Sequence, residues 1–276
     1  MLRWSALPAW AVTFGVGVVS CGAAAAGWVA RGRPLVSLWP RAHGGAVVLM
    51  GVLFLVNNLT FLGAYEKTTV ANAVLTHYTA PVLVAALAPF TLGERLLPTT
   101  VPALGMALAG LALLLSGAGL SLDDRHLQGI LLGTASGGAY AVLILMARYY
   151  TLRVPALSLI FAQNLVIVGI LLPWAGWRGV FHGARSWAFL AGMGVVHATA
   201  APLAYLAGLR RTRAQVAAIL GYLEPLCAVV WGAAFLGETP GAGALLGGGL
   251  LLAGGALVVW DEGRGEKPVD APDGRR

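Results

Sequence analysis

Nine stretches of this chain are each apolar for roughly the 20 residues that carry a helix across a bilayer. They run at about 8–30, 44–64, 69–92, 99–118, 127–148, 155–175, 187–208, 214–236 and 242–260. Polar, turn-rich pieces such as RGRPLVSLWPRAH (31–43), GLSLDDRH (119–126) and GWRGVFHGARS (176–186) separate them. Only 11% of the 276 residues are charged, against about 25% in a soluble domain. That leaves too little polar surface to coat a water-soluble globule. The expected fold is therefore an all-α integral membrane protein of about nine transmembrane helices, with the bilayer as its first partner. The segment from Asp261 onward is charged and rich in Gly and Pro, and 261–276 is expected to be a disordered cytoplasmic tail.

Charge placement predicts an orientation. Loops 31–43, 93–98, 149–154 and 209–213, with Arg148 and the tail, hold 13 of the 18 Lys and Arg residues; the N-terminus and the remaining loops hold five. The positive-inside rule puts the first set in the cytoplasm and the N-terminus outside. The +7 net charge is thus a topology signal, and no nucleic-acid partner is expected. One basic residue precedes the first apolar block and three follow it, opposite to the bias of a secretory signal. Cys21 and Cys227 lie within apolar blocks and are expected to be small buried residues, not a disulfide.

The chain also repeats itself. Shifted by 144 residues, HYTAPVLVAALAPFTLGE (77–94) lies on GYLEPLCAVVWGAAFLGE (221–238). Tyr78 meets Tyr222, Pro81 meets Pro225, and Leu92-Gly93-Glu94 meets Leu236-Gly237-Glu238. The register continues with Gly105 on Gly249 and Gly110 on Gly254, and upstream with Phe61 on Tyr205. Five spans separate equivalent points. Five is odd, so the second copy is expected to lie inverted in the membrane, an arrangement typical of secondary transporters that bind solute near the midplane. The copies are read as 1–120, with four helices, and 121–260, with five. The span at 127–148 has no counterpart, since the matching position precedes Met1. Either the protein is a nine-span variant or an opening helix has been lost by truncation or a misplaced start codon. The second is favoured because a missing helix leaves a packing groove open to lipid.

The twice-present Y-x-x-P, with a Gly-Glu ending 13 residues after the proline and a small-residue-rich span following (PALGMALAGLALLLSG at 102–117; GALLGGGLLLAGGALVV at 243–259), resembles the EamA-type members of the drug/metabolite transporter superfamily. The resemblance covers nearly the whole chain. It implies two five-helix inverted repeats around a central cavity, both termini cytoplasmic, and export of amino acids, metabolites or drugs across the inner cell membrane. This sequence departs from that pattern by lacking the first helix.

Ionisable residues inside spans are costly and mark function. Ten of the eleven acidic residues fall in loops, at span ends or in the tail; the exception is Glu224, about 16 Å into its span at ~1.5 Å per residue. It is expected to be a buried carboxylate that couples transport to protons or binds a substrate amine. The alternative is a protonated acid joining helices by hydrogen bonds. His77 and His197 are the histidines within spans, able to titrate near neutral pH or simply to hydrogen-bond a carbonyl. Tyr78, Tyr140, Tyr205 and Tyr222 are candidates for an aromatic wall suited to amphipathic solutes. Asn58 of the pair Asn57-Asn58 is a further candidate contact; Gln163-Asn164 is expected to join helices.

Pro81 and Pro225 each remove a backbone hydrogen bond inside a helix and are expected to kink it. Glu94 and Glu238 are read as solvated helix-end carboxylates pairing with nearby arginines. The glycines at 105, 110, 247, 248, 249, 254 and 255 suit close helix contact. Trp39, Trp174, Trp177, Trp187 and Trp260 suit interfacial anchoring.

GAGALLG (241–247) lacks the strand a dinucleotide loop requires, TASGG (134–138) fails the nucleophile-elbow pattern, and neither a Walker A sequence nor metal-ligand spacing occurs. No enzyme, metal or cofactor is expected. The sequence is read as a secondary transporter, monomeric or homodimeric, moving a small molecule by alternating access with possible proton coupling through Glu224. An uncoupled facilitator is the second reading, and a non-transporting scaffold or membrane-embedded enzyme the third.

Overall fold

Without water to satisfy it, the backbone of an apolar segment closes its own hydrogen bonds as helix. The computed structural model, which describes residues 9–116, 126–175, 184–237 and 239–264, follows that rule. Among the described residues no strand occurs. Eight helical segments are long and apolar enough to span a membrane, and Thr100–Leu115 is a shorter apolar helix. Together they account for the nine expected spans, with boundaries shifted by a few residues.

In chain order the helices are α1 (Ala9–Val29), α2 (Gly44–Lys67), α3 (Val70–His77), α4 (Ala80–Thr91), α5 (Thr100–Leu115), α6 (Leu127–Thr151) and α7 (Ala156–Ala175). There follow α8 (Ala184–Gly192), a π-helix (Met193–Ala200), α9 (Ala201–Leu209), α10 (Ala214–Leu220), α11 (Leu223–Leu236) and α12 (Ala242–Arg264). Two of the nine spans are thus broken, α3/α4 and α10/α11. These are the spans that carry the repeated Y-x-x-P. Each broken span stops the same way: Gly93 and Gly237, equivalent in the repeat, both hold left-handed φ, 68° and 69°, a conformation that glycine adopts without a Cβ penalty.

The chain divides into two compact units, Met1–Leu55 with Tyr150–Arg210, and Val56–Tyr149 with Arg211–Arg276. Each draws on both halves of the sequence, so the units cut across the boundary between the copies at 120/121.

In the first unit α1 packs along α7, its equivalent in the repeat. A Cβ on Gly17 would stand 3.0 Å from Val168, and one on Gly51 2.7 Å from Val166. Phe14, Leu55, Ile167 and Leu171 form one buried cluster, and Ala24, Trp28, Leu38 and Leu157 another. The hydroxyl of Thr199 donates to the Gly194 carbonyl five residues back at 2.8 Å, and Ser20 donates to the Ala198 carbonyl at 2.9 Å.

In the second unit α5 lies along α12. A Cβ on Gly110 would come within 2.7 Å of the Gly247 carbonyl, and one on Gly254 within 2.9 Å of the Ala103 carbonyl. As one index rises the other falls, so the two helices run antiparallel. The contacts also exchange under the 144-residue shift: Gly110 maps to Gly254 and Ala103 to Gly247. Of the glycines expected at close contacts, Gly110, Gly247 and Gly254 are so used and Gly248 abuts Leu226, whereas Gly105 and Gly249 face open space and Gly255 makes ordinary contact.

Three expectations are corrected here. Helix α12 runs to Arg264, so residues 261–264, expected to lie in a disordered tail, are helical. The reason is capping: Asp261 accepts from the Thr99 amide (3.2 Å) and hydroxyl (2.7 Å) ahead of α5, and Glu262 from the Arg213 amide (3.0 Å) ahead of α10. Secondly, Arg148 belongs to α6, not to a cytoplasmic loop; it is buried against Glu94 with Nε···Oε1 at 2.8 Å. Glu94 therefore has the arginine expected of it but is enclosed, not solvated, with its other oxygen accepting from the Ala214 amide at 2.7 Å. Thirdly, Cys227 is exposed and Cys21 half-buried; both are free thiols. Glu238, Trp177, residues 117–125 and the tail from 265 lie outside the described residues.

Candidate functional site

The two broken spans meet within the second unit. At the first break, Pro81 offers no amide to the His77 carbonyl, and the chain tightens into a turn with Thr79 N bonded to Thr76 O (3.3 Å) and Val82 N to Thr79 O (3.1 Å). At the second, Tyr222 N bonds to Ile219 O (3.1 Å) and Glu224 N to Gly221 O (3.0 Å). Each proline thus ends up in the first turn of the following half-helix, where a missing donor costs nothing. The axis is interrupted just ahead of Pro81 and Pro225 rather than at them.

Freed carbonyls need partners in an apolar medium. The Tyr222 hydroxyl donates to the Tyr78 carbonyl at 2.7 Å, and the Thr79 hydroxyl to the Thr76 carbonyl at 2.7 Å. The Tyr78 and Tyr222 rings stack at 5.5 Å between centroids, 30° apart. The spans therefore cross at equivalent tyrosines. Since the end of the first span (Glu94) binds the start of the second (Ala214), they run in opposite directions.

Symmetry ends at the next side chain. The Tyr78 hydroxyl donates to Glu224 Oε2 at 2.9 Å, whereas the position equivalent to Glu224 is Ala80, which is fully buried. Counted from the start of its span Glu224 is expected to be enclosed, but it is exposed. The break at Gly221–Tyr222 places it in the first turn of α11. There the unpaired amides of a helix N-terminus favour a carboxylate by about 0.3–1 kcal/mol.

His77, the last residue of α3, extends the site. Its ring stacks with Tyr140 (5.1 Å, 22°) and packs against Phe61 (4.3 Å, 34°), with Tyr78 edge-on at 5.5 Å. Its Nδ1 lies 2.8 Å from the Ser136 hydroxyl, which is itself 2.9 Å from Asn57 Oδ1 and 3.2 Å from the Asn57 carbonyl. Helix α6 reaches this close because it presents small residues: a Cβ on Gly137 would sit 2.7 Å from the His77 carbonyl and 2.8 Å from the Thr79 hydroxyl.

Five of the eight expected contact residues, His77, Tyr78, Tyr140, Tyr222 and Glu224, thus share one cluster. Asn58 is half-buried on α2, and its neighbour Asn57 accepts from Ser136. His197, on the π-helix, and Tyr205, on α9, are exposed and belong to the first unit. Sequence reasoning passed over Ser136 and Phe61 as site residues. The usable signal was the run of Gly129, Gly133, Ser136 and Gly137 at helical spacing, a face small enough to admit another backbone.

Comparison with known proteins identifies the family. The chain matches the EamA-like transporter family over residues 1–116 and 127–260. It belongs to that family. This EamA-like transporter is 32% identical over 203 residues to an uncharacterized transporter of Archaeoglobus fulgidus, covering 74% of this chain and 72% of that protein. It is 27% identical over 242 residues to the uncharacterized transporter YxxF of Bacillus subtilis, covering 84% and 75% respectively. A solved crystal structure superposes with a TM-score of 0.80 at 20% identity, covering 94% of this chain and 90% of that one; at that identity the likeness speaks for the fold alone. As an EamA-like protein the chain is a multi-pass membrane transporter.

Proposed function

We propose that this transporter is a secondary exporter of small amphipathic amines, amino acids among them, and that Glu224 binds the amine and the coupling proton in alternation. One observation carries the reading: a carboxylate, exposed on the first turn of a half-helix and fixed by the Tyr78 hydroxyl, in one cluster with the rings of Tyr78, Tyr222, His77, Tyr140 and Phe61. Aromatic faces and a carboxylate together attract a cation with an apolar body and repel an anion.

Alternating access follows from the duplication. The exchange of Gly110–Gly247 with Gly254–Ala103, and the antiparallel crossing at Tyr78 and Tyr222, support two inverted copies. In an inverted pair each copy can adopt the other's conformation, so a site near their crossing opens to one side and then the other. The cation bias of the loops supports the N-terminus facing out and residence in the cytoplasmic membrane.

The test is uptake into proteoliposomes of three solutes that share a phenyl body: phenethylamine, phenylalanine and phenylpropionate, each at pH 6 and pH 8 (about these values, spanning neutrality). The cation and the zwitterion are expected to move and the anion not, with uptake following an imposed pH gradient. Glu224→Gln is expected to abolish the dependence on the gradient while leaving the detergent-extracted protein folded. Preferred transport of phenylpropionate, or a variant with undiminished gradient dependence, would sink the assignment.

A further inference from the structure

His77 is held by a hydrogen-bonded chain whose members are fully or nearly fully buried: Ser136 is 0% exposed, Asn57 and His77 each 8%. The Ser136 hydroxyl carries one proton. It faces two acceptors on Asn57, the backbone carbonyl and the side-chain Oδ1, and on its other side His77 Nδ1. A carbonyl can only accept. The serine proton therefore goes to Asn57, and the serine oxygen is left to accept from His77. From this geometry we infer that Ser136 is a positioning residue: it fixes the proton of His77 on Nδ1, so that Nε2 presents a lone pair as a specificity-determining acceptor for a substrate N–H. This inference rests on the reading of the same cluster as an amine site.

Three further features fit the assignment. Among the described residues Nε2 has no hydrogen-bond partner, while Nδ1 is engaged by Ser136. The ring also packs against the rings of Tyr140 and Phe61, which limits its turning. Finally, Tyr78 follows His77 directly and donates to Glu224. The imidazole and the Glu224 carboxylate are thus both joined to Tyr78, the first by ring contact and the second by its hydroxyl, which suits an ammonium group with more than one N–H to place. A histidine in the other tautomer would present a donor, and would turn a donor-bearing substrate away.

The chain of donors also explains why two small residues flank Ser136 on the helix. Gly133 and Gly137 let α6 approach residues 73–79 closely, which brings the serine oxygen to hydrogen-bond distance of the ring. Gly137 serves by proximity to the His77 carbonyl, and Ser136 by polarity. Neither has any need of the substrate to be in place.

The experiment is nitrogen-15 NMR of the full-length protein in lipid bilayers, labelled at its five histidines and assigned by comparison with His77→Gln. The spectrum is recorded at a pH where the imidazole is neutral, with and without phenethylamine. A protonated, pyrrole-type Nδ1 and a bare, pyridine-type Nε2 are expected for His77, the Nε2 signal shifting when phenethylamine is added. Ser136→Ala is expected to populate both tautomers and to raise the phenethylamine concentration that half-completes the shift about twofold, the factor by which an evenly shared tautomer equilibrium dilutes the competent form. A wild-type His77 protonated on Nε2, or an Nε2 signal indifferent to phenethylamine, overturns the inference. Should Ser136→Ala fail to fold, the wild-type tautomer decides by itself. Because these signals need no transport, the tautomer can hold even where the amine-exporter reading fails, and the two failures are told apart.

Discussion

Two tyrosines at equivalent places in a repeat do different work. Tyr222 donates its proton to the buried backbone carbonyl of Tyr78, while Tyr78 donates to the exposed carboxylate of Glu224. The consequences of removing each hydroxyl therefore differ. Tyr222→Phe leaves a carbonyl without a donor where water does not reach, at a cost of about 1–3 kcal/mol. Tyr78→Phe releases Glu224 to solvent, costing roughly 0.5–1.5 kcal/mol. Tyr222→Phe is thus expected to lower the unfolding midpoint in detergent further than Tyr78→Phe, while Tyr78→Phe has the larger effect on amine transport. The reverse ranking in either measurement would contradict the assignment. None of this could be read from the sequence, where both residues appear as members of one motif. What was legible is the difference between Ala80 and Glu224, because a carboxylate in an apolar block stands out against its neighbours.

Helices in lipid gain little from burying apolar surface against one another, so contact quality rests on how closely backbones approach. The α5–α12 pair uses Gly110, Gly247 and Gly254 for this purpose, while Gly105 faces open space. A leucine at Gly110 would strike the Gly247 backbone, which has no rotamer to yield. Gly110→Leu is expected to destabilise the protein by about 1–3 kcal/mol or more, and Gly105→Leu by about 0.5 kcal/mol or less, read as midpoints of denaturant unfolding. Equal effects at the two positions would refute the packing. The repeat alone treats Gly105 and Gly110 alike, since both match a glycine 144 residues on. Which face of a helix meets a partner is decided by the partner, and a sequence of small and apolar residues all round the helix carries no stripe to reveal it.

At the scale of the molecule, the orientation of the chain rests on loop charge. Moving Arg148 into a buried pair with Glu94 leaves twelve cations on the side assigned to the cytoplasm against five on the other, so the bias survives the correction. With Cys21 and Cys227 replaced by alanine, Gly32→Cys and Arg211→Cys are expected to resist a membrane-impermeant maleimide applied to intact cells, while Glu66→Cys reacts. All three residues border loops, and all three labelling alike would refute the topology. The same Glu94 that holds Arg148 also caps Ala214, and Asp261 and Glu262 cap α5 and α10. Residues assigned by sequence to span ends and to a tail are thus the ties between the helices of the second unit.

Length and hydropathy by themselves determined that this chain is a bundle of membrane-spanning helices, because a bilayer accepts an uninterrupted apolar segment of that size in few other forms. The recurrence of Tyr, Pro and Gly-Glu at one spacing likewise marked the two spans that break. Tertiary structure decided the rest: that Glu224 is exposed, that Asn57 bonds Ser136, that Ser136 reaches His77, and that His197 and Tyr205 stand in the other unit. The reason is physical. Hydrophobicity is a property each residue carries into any context, whereas a hydrogen bond or a close backbone contact exists only once two distant segments have been brought together at a particular angle.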